Sequence, residues 1–220
     1  ANYGLNPTVF TADIEFAGQV VKLNVTDPVI TAGVSIKKTG YAQTMNNNVM
    51  RWTVSGVRND STTSLQSFYW RDTLPTDAVR LTRLVTGTYS TTQTYKVTFT
   101  TNLNSQWRTA YDNLSTAKNY TLDMSSAALG LASNEYVTQF MLSFGIVPAG
   151  FHQLTNATVD AQTLYALTNG YKFTNKADVG GLLGGNWVQS IARWTTSVYS
   201  HYVPAKPAAP KSPKLPRTGY

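Results

Sequence analysis

Apolar and polar residues alternate with a period of two along most of this chain, a pattern typical of half-buried β-strands. Val34, Ile36 and Lys38 share one face of the first clear example, and Met50, Trp52 and Val54 share a face of the next. The composition agrees, because 32 threonines, 13 tyrosines and only two glutamates favour strands over helices. We therefore predict an all-β fold, an antiparallel β-sandwich with Greek-key connections.

The remaining strands are predicted by the same alternation. They lie at 65–74, 79–89, 94–102, 135–147, 170–179 and 193–203. The less regular segment 105–133 predicts a short helix near Ser125–Leu131. The sequence GGLLGG at 180–185 predicts a flexible connection between strands.

Charge and cysteine content exclude some classes of function. The net charge is +7, but Lys206, Lys211, Lys214 and Arg217 supply four positive charges in a tail without acids. The other charges are mixed, without a basic stripe, so we predict no nucleic-acid binding. The absence of Cys fits both a secretion route that avoids disulfides and a cytosolic protein.

Catalytic and metal-binding patterns are weak. His152 and His201 are the only histidines, and neither has acids at ligand spacing. No serine lies in a nucleophile elbow, and no paired carboxylates stand out. We predict no metal, no cofactor and no enzymatic turnover. Trp107, Trp187 and Trp194 either line a ligand surface or pack the sandwich, and packing is the favoured interpretation.

Strand parity places three polar side chains toward the interior. Lys38 lies on the face of Val34 and Ile36, whereas Lys37 lies on the opposite face. Asp72 shares the face of Phe68 and Trp70, an unusual position for a carboxylate without a partner or a task. Asn175 shares the face of Phe173 and Val179. Asn59 has the parity opposite to Trp52 and faces inward only if a bulge at Gly56 shifts the register.

The chain ends in a short linear motif behind a segment rich in proline and lysine. Leu215, Pro216, Arg217, Thr218 and Gly219 resemble the Leu-Pro-any-Thr-Gly sorting signal of Gram-positive cell-wall proteins. In that family, sortase cuts between the Thr and the Gly and joins the Thr to an amine of the peptidoglycan precursor. The family's signal continues into an apolar membrane segment and a basic tail, which we expect to follow in a longer chain.

A second resemblance covers residues 31–203. The sequences VSIKKTG, MRWTVSGVRND and SFYWRDTLP, followed by EYVTQFMLSFGIVPAGF and GYKFTNKADVGG, are similar to immunoglobulin-like modules of Gram-positive surface proteins and pilins. This resemblance implies an immunoglobulin-like sandwich at 31–203. Residues 1–30 are then an added strand segment or the end of a preceding module, and 204–220 a tail that crosses the wall.

Many such modules carry an isopeptide bond between a lysine amine and an asparagine side chain, promoted by a buried acid. The resemblance thus implies a Lys38–Asn175 bond with Asp72 as the acid, and Asn59 as the fallback acceptor. The alternative is an ordinary buried Lys38–Asp72 ion pair, with Asn175 bonded to the backbone.

Together these features predict a wall-anchored extracellular module with a structural, stalk-like role. Its expected partners are sortase and the peptidoglycan precursor, with membrane contact only through a segment beyond the tail. The alternative function is an adhesin module that binds a host protein or a glycan. An exposed aromatic patch or a concave face would favour the alternative.

Overall fold

The computed structural model describes residues 10–16, 19–25, 33–45, 49–75 and 77–199, and these residues form β-strands and the connections between them. The strands are β1 (Phe10–Phe16), β2 (Gln19–Val25), β3 (Val34–Thr39), β4 (Gln43–Met45), β5 (Val49–Asn59), β6 (Leu65–Thr73), β7 (Val79–Val85), β8 (Thr88–Tyr89), β9 (Thr94–Thr101), β10 (Arg108–Ser115), β11 (Thr121–Asp123), β12 (Val137–Val147), β13 (Gln153–Thr155), β14 (Ala157–Thr163), β15 (Lys172–Leu183) and β16 (Asn186–Tyr199). Within these ranges no helix is long and apolar enough to cross a membrane.

The strands form two main sheets that face each other. The larger sheet has the order β1-β2-β16-β15-β6-β12-β9-β10, and β4 pairs with β16 in parallel. The smaller sheet has the order β11-β7-β14-β5-β3, and its strands pair antiparallel. The chain crosses between the sheets repeatedly, as from β5 to β6 and from β6 to β7. The predicted immunoglobulin-like β-sandwich is therefore confirmed.

The core lies between the two sheets and consists of the side chains on the inward faces of the alternating strands. Its largest fully buried apolar members are Trp52, Trp70, Phe68, Phe140, Phe151, Ile36, Met50, Leu65, Leu81, Leu84 and Met124. Edge-on aromatic contacts add to this packing, such as Trp70 with Phe140 on the neighbouring strand of the larger sheet, at a centroid distance of 5.6 Å. Trp70 Nε1 also donates a hydrogen bond to the hydroxyl of Tyr89 (2.8 Å). This packing fixes the faces of the strands, and with them the inward polar residues.

Two local predictions are wrong. The segment near Ser125–Leu131 is a series of turns, because its backbone bonds change span from residue to residue and Gly130 has a left-handed φ of 67°. The GGLLGG segment is mostly strand, because Gly180 to Leu183 continue β15 and pair with β16. Only Gly184 and Gly185, both with positive φ, form the hairpin turn.

The segment assigned to residues 1–30 contains β1 and β2, which pair with each other. β2 also pairs with β16 through Val20 and Val21, so the two strands continue the larger sheet. The boundary predicted near residue 30 stays a prediction.

Candidate functional site

Three polar residues predicted to face inward meet in the core. Lys38 comes from β3 of the smaller sheet, and Asp72 and Asn175 come from β6 and β15 of the larger sheet. Lys38 is 1% exposed, and Asp72 and Asn175 are fully buried. The Nζ atom of Lys38 lies 2.5 Å from Oδ2 of Asp72. Parity alone predicted the three faces, and the tertiary structure brings the residues into one cluster.

The strand register explains the position of Asn175 beside Asp72. In the antiparallel pair of β6 and β15, Ala177 lies opposite Asp72. Asn175, two residues along β15, therefore occupies the same face on a diagonal from Asp72. Lys38 pairs with Val54 in its own sheet, and β3 packs against β15 and β16. Its long side chain reaches across the interior to the larger sheet.

The cluster is enclosed by apolar groups. Asp72 lies between Phe140 and Ala177, its partners in the two neighbouring strands, and both are fully buried. The Lys38 Nζ atom lies 5.8 Å from the ring centroid of Trp52. Trp52 in turn contacts Phe173 edge-on, with centroids 6.5 Å apart. An isolated charge in such surroundings is strongly disfavoured relative to water.

Burial shifts both titratable groups toward their neutral forms. It lowers the pKa of the Lys38 amine, and attraction to Asp72 opposes this effect. It raises the pKa of the Asp72 carboxyl, and Lys38 and the nearby amide of Asn175 oppose this effect. These directions favour an uncharged amine next to a protonated acid. An uncharged amine is a nucleophile, and a protonated carboxyl can donate to an amide oxygen.

The side chain of Asn175 lacks the hydrogen bonds that a buried amide normally makes. Neither Oδ1 nor Nδ2 has a partner of normal length and geometry, and Oδ1 of Asp72 also lacks one. The amide is nevertheless close enough to Asp72 to affect the pKa of its carboxyl. A buried amide without partners is costly and calls for an explanation. The arrangement places an amine, an acid and an unbonded amide together in one buried, apolar part of the core.

Asn59, the fallback acceptor, is buried by the bulge on which its inward position depended. Gly56 has a φ of 64°, and the β3–β5 register shifts by one residue between Ser35 and Lys37. Asn59 pairs with Val34, four residues along β3 from Lys38. Its amide donates to the carbonyls of Thr63 and Pro148, and its Oδ1 accepts from the amide and hydroxyl of Ser61. This satisfied side chain serves the turn, whereas Asn175 is the asparagine that lies beside Asp72.

The sorting signal at Leu215–Gly219 lies outside the described residues, and so does His201. His152 is partly buried, and its Nδ1 contacts the carbonyl of Gly150 at 2.9 Å. Among the residues that the structure describes, no group of three or more His, Asp or Glu side chains is placed to hold a metal ion.

Comparison with known proteins gives only distant similarities. No protein-family model matches the chain, and a search of curated protein sequences found no match. A cohesin module from a Clostridium perfringens family 33 glycoside hydrolase is 7% identical, with a TM-score of 0.41 over 78% of this chain and 100% of that module. The collagen-binding domain of a Staphylococcus aureus adhesin is 13% identical, with a TM-score of 0.35 over 76% of this chain and 99% of that domain. The collagen-binding subdomain of the Enterococcus faecalis surface protein ACE is 12% identical, with a TM-score of 0.31 over 76% of this chain and 96% of that subdomain. These similarities do not assign the chain to a family.

The solvent-facing side of the larger sheet carries a network that sequence reasoning missed. The carboxylate of Asp178 accepts two hydrogen bonds from Arg71 (both 2.9 Å), one from the hydroxyl of Tyr69 (2.9 Å) and one from Gln189 (3.0 Å). Burial, followed by the nearby charge of Asp178, raises the pKa of the Tyr69 hydroxyl. Trp187, expected to pack the sandwich, is 61% exposed beside this network. Tyr69, Arg71 and Asp178 have the strand parity opposite to Asp72 and Asn175, but only the β6–β15 register brings them together.

The smaller sheet carries a second such cluster. Arg51 and Arg83 each donate two hydrogen bonds to the carboxylate of Asp160, at distances of 2.6 to 2.9 Å. Burial raises the pKa of Asp160, but the two guanidinium groups outweigh it, and the net shift is downward. This cluster ties three strands together on the outer face.

Proposed function

We propose that this chain is a self-crosslinked structural module of a bacterial surface protein, anchored to the wall of a Gram-positive cell. The observation that carries the crosslink is the buried amide of Asn175, unbonded and adjacent to the Lys38–Asp72 pair. An ordinary ion pair would leave that amide without a purpose. A reacting trio gives each of the three side chains a role.

The proposed reaction forms one amide bond and releases one ammonia. The neutral Nζ of Lys38 attacks Cγ of Asn175, while the protonated carboxyl of Asp72 polarises the amide oxygen. A proton then passes from the lysine nitrogen through Asp72 to Nδ2 of Asn175. The Cγ–Nδ2 bond breaks, ammonia leaves, and Asp72 regains its starting state. Packing of the core supplies the proximity that an external catalyst would otherwise provide.

The product would join the two sheets covalently. Lys38 belongs to the smaller sheet and Asn175 to the larger, so the bond would span the core. It would also close a loop that covers more than half of the chain. Such a link constrains the unfolded chain as a disulfide does, which suits a stalk exposed to extracellular stress.

Intact mass spectrometry of the full chain under denaturing conditions tests the crosslink. We expect the sequence mass less one ammonia. K38A, N175A and D72A should each show the full mass of their own sequence. N59A, which removes the other buried asparagine considered as an acceptor, should retain the loss of ammonia. An unmodified mass for the unaltered protein would refute the crosslink.

The anchoring half of the proposal rests on Leu215–Gly219 behind a spacer with prolines at 204, 207, 210 and 213. Proline favours an open, extended backbone, the form in which a linear signal can enter an enzyme cleft. Incubation with sortase and an amine nucleophile should release Gly219-Tyr220 and label Thr218. Cleavage that persists in T218A, or no cleavage at all, would contradict this proposal.

A second function, adhesion to a host protein or a glycan, is favoured by a specific feature. The exposed Trp187 lies at a concave region of the larger sheet rather than in the core. Exposed aromatic side chains at concave sites are typical of binding surfaces. No enzymatic turnover is proposed, since the self-crosslinking reaction occurs once per molecule.

A further inference from the structure

A groove of about 690 Å³ opens on the solvent-facing side of the larger sheet. Its walls come from β6, β9, β10 and β12 and from Trp187 at the start of β16. The side chains that face the opening include Tyr69, Arg71, Lys96, Asp112, Met141 and Trp187. We call this feature the aromatic groove. Its volume falls within the range of pockets that hold small ligands.

The groove exists because several strands bend at the same level of the sheet. The register shifts between Ser143 and Gly145 in the β12–β6 pair, and between Gly180 and Leu182 in the β15–β6 pair. A further shift separates Tyr111 from Leu114 in the β10–β9 pair. Bulges bend strands and are frequent beside functional sites. Here they turn a sheet face that would otherwise be flat into a concave one.

Backbone strain is concentrated at the same place. Ser67, which lines the groove, has a φ of 50°, and Asn113, next to the groove residue Asp112, has a φ of 52°. These are two of the three non-glycine residues with positive φ among those described. Left-handed conformations cost non-glycine residues free energy and cluster at binding sites.

The aromatic wall is held rigidly before any ligand arrives. Tyr69 lies close over Gly180, where a Cβ atom would approach its ring to 2.9 Å. The hydroxyl of Tyr69 is fixed by Asp178, and the guanidinium of Arg71 lies 5.5 Å from its ring centroid. Trp187 contacts Tyr69 edge-on, with centroids 6.1 Å apart, and leaves most of its indole exposed. A preorganised aromatic surface loses little entropy on binding.

The charges around the groove identify the class of ligand. The positive charge of Arg71 is matched by Asp178, and Lys96 shares the groove with Asp112. The formal charges therefore cancel, and a strongly anionic or cationic ligand has no advantage. What remains is an exposed indole face next to hydroxyl, amine and carboxylate groups that donate and accept hydrogen bonds. A sugar ring matches this combination, because it has an apolar C–H face and a rim of hydroxyls.

We propose that the aromatic groove binds a neutral oligosaccharide, with a sugar ring stacked on Trp187 and its hydroxyls bonded to the polar rim. This inference deepens the adhesive part of the proposed function and is independent of the crosslink. Arg71 and Tyr69 act as a rigid support, and Lys96 and Asp112 as the polar contacts.

The test is binding of the full chain to an immobilised panel of neutral oligosaccharides, with sialylated and sulfated glycans and collagen in the same panel. We expect binding to neutral members, reduced tenfold or more in W187A and unchanged in W107A. Trp107 is a matched control because it is also exposed (39%) and does not line the groove.

Three results would overturn the inference: no neutral glycan is bound, W187A and W107A bind equally, or only charged glycans or collagen bind. Intact mass is measured on the same samples. If the protein has lost ammonia but binds no neutral glycan, the groove assignment is refuted and the crosslink stands. If the protein binds neutral glycans but has kept its full mass, the crosslink is refuted and the groove assignment stands.

Discussion

The Nζ atom of Lys38 and Oδ2 of Asp72 lie 2.5 Å apart, although the two residues belong to opposite sheets of the sandwich. Both side chains are fully buried among aromatic and aliphatic groups. Burial alone would make such a pair an expensive way to hold two sheets together. With the unbonded amide of Asn175 beside it, the proposed crosslink would give the pair a chemical use, and this relationship leads to the first two predictions.

N175A should lower the free energy of unfolding by about 4 kcal/mol, because it removes the proposed covalent link that would constrain the unfolded chain. For a domain of this size the corresponding decrease in Tm is about 10 °C or more. Differential scanning calorimetry of N175A, K38A and the double variant checks this. Since each single change removes the same bond, the double variant should lose much less than the sum of the two. Additive losses would contradict a shared bond.

In K38M, the contribution of Asp72 to the free energy of unfolding should be larger in acid than at neutral pH, the reverse of what is usual for a carboxylate. Without the lysine, burial dominates and the pKa of the native carboxyl stays above its unfolded value of 3.8. The native state then binds more protons than the unfolded state, so this contribution to stability is fully present below pH 3.8 and is lost as pH rises through the native pKa.

Urea unfolding of K38M and of K38M/D72N across the acid and neutral range measures this effect. Both variants lack the crosslink, and asparagine mimics the protonated acid. The two should be similarly stable in acid, and K38M should become the less stable as pH rises. An identical pH profile for both would show that the Asp72 carboxyl titrates normally.

D160N should destabilise the protein by about 1 kcal/mol near neutral pH, because the two arginines lose their shared carboxylate. The pKa of native Asp160 lies below 3.8, so its stabilisation is present above that value and disappears as pH falls through the native pKa. Denaturant unfolding at several pH values gives the difference between D160N and the unaltered protein. D60N removes the exposed Arg58–Asp60 pair and should have almost no effect. Equal effects of the two changes would be inconsistent with a special role for Asp160.

G56A should cost about 1 kcal/mol, because Gly56 has a left-handed φ of 64° that residues with a Cβ atom avoid. A Cβ atom there would lie 3.6 Å from the nearest atom of Lys37, an ordinary contact, so the cost comes from the backbone and not from a clash. G56N should cost less, since asparagine tolerates this conformation better. Chemical denaturation of the two variants makes the comparison. If alanine and asparagine proved equally harmless, the bulge would not depend on Gly56.

Local periodicity was sufficient to predict much of the fold and one property of the site. Alternation in β3, β6 and β15 correctly placed Lys38, Asp72 and Asn175 toward the interior, because the side-chain period of a strand is a local property. The inward position of Asn59 depended on a bulge at Gly56, and that bulge is present. The helix predicted near Ser125–Leu131 does not form, because these residues satisfy their backbone groups in turns that end at Gly130.

The sequence by itself determined the inward positions of Lys38, Asp72 and Asn175, the β class of the fold and the motif at Leu215–Gly219. Only the tertiary structure decided that Asn175, rather than Asn59, lies beside Asp72, and that Tyr69, Arg71 and Asp178 form one rigid wall below Trp187. The physical reason is that strand parity and strand register depend on residues at very different separations along the chain. Parity depends on adjacent residues, whereas the register between β6 and β15, and the packing of β3 across the core, join residues more than a hundred positions apart.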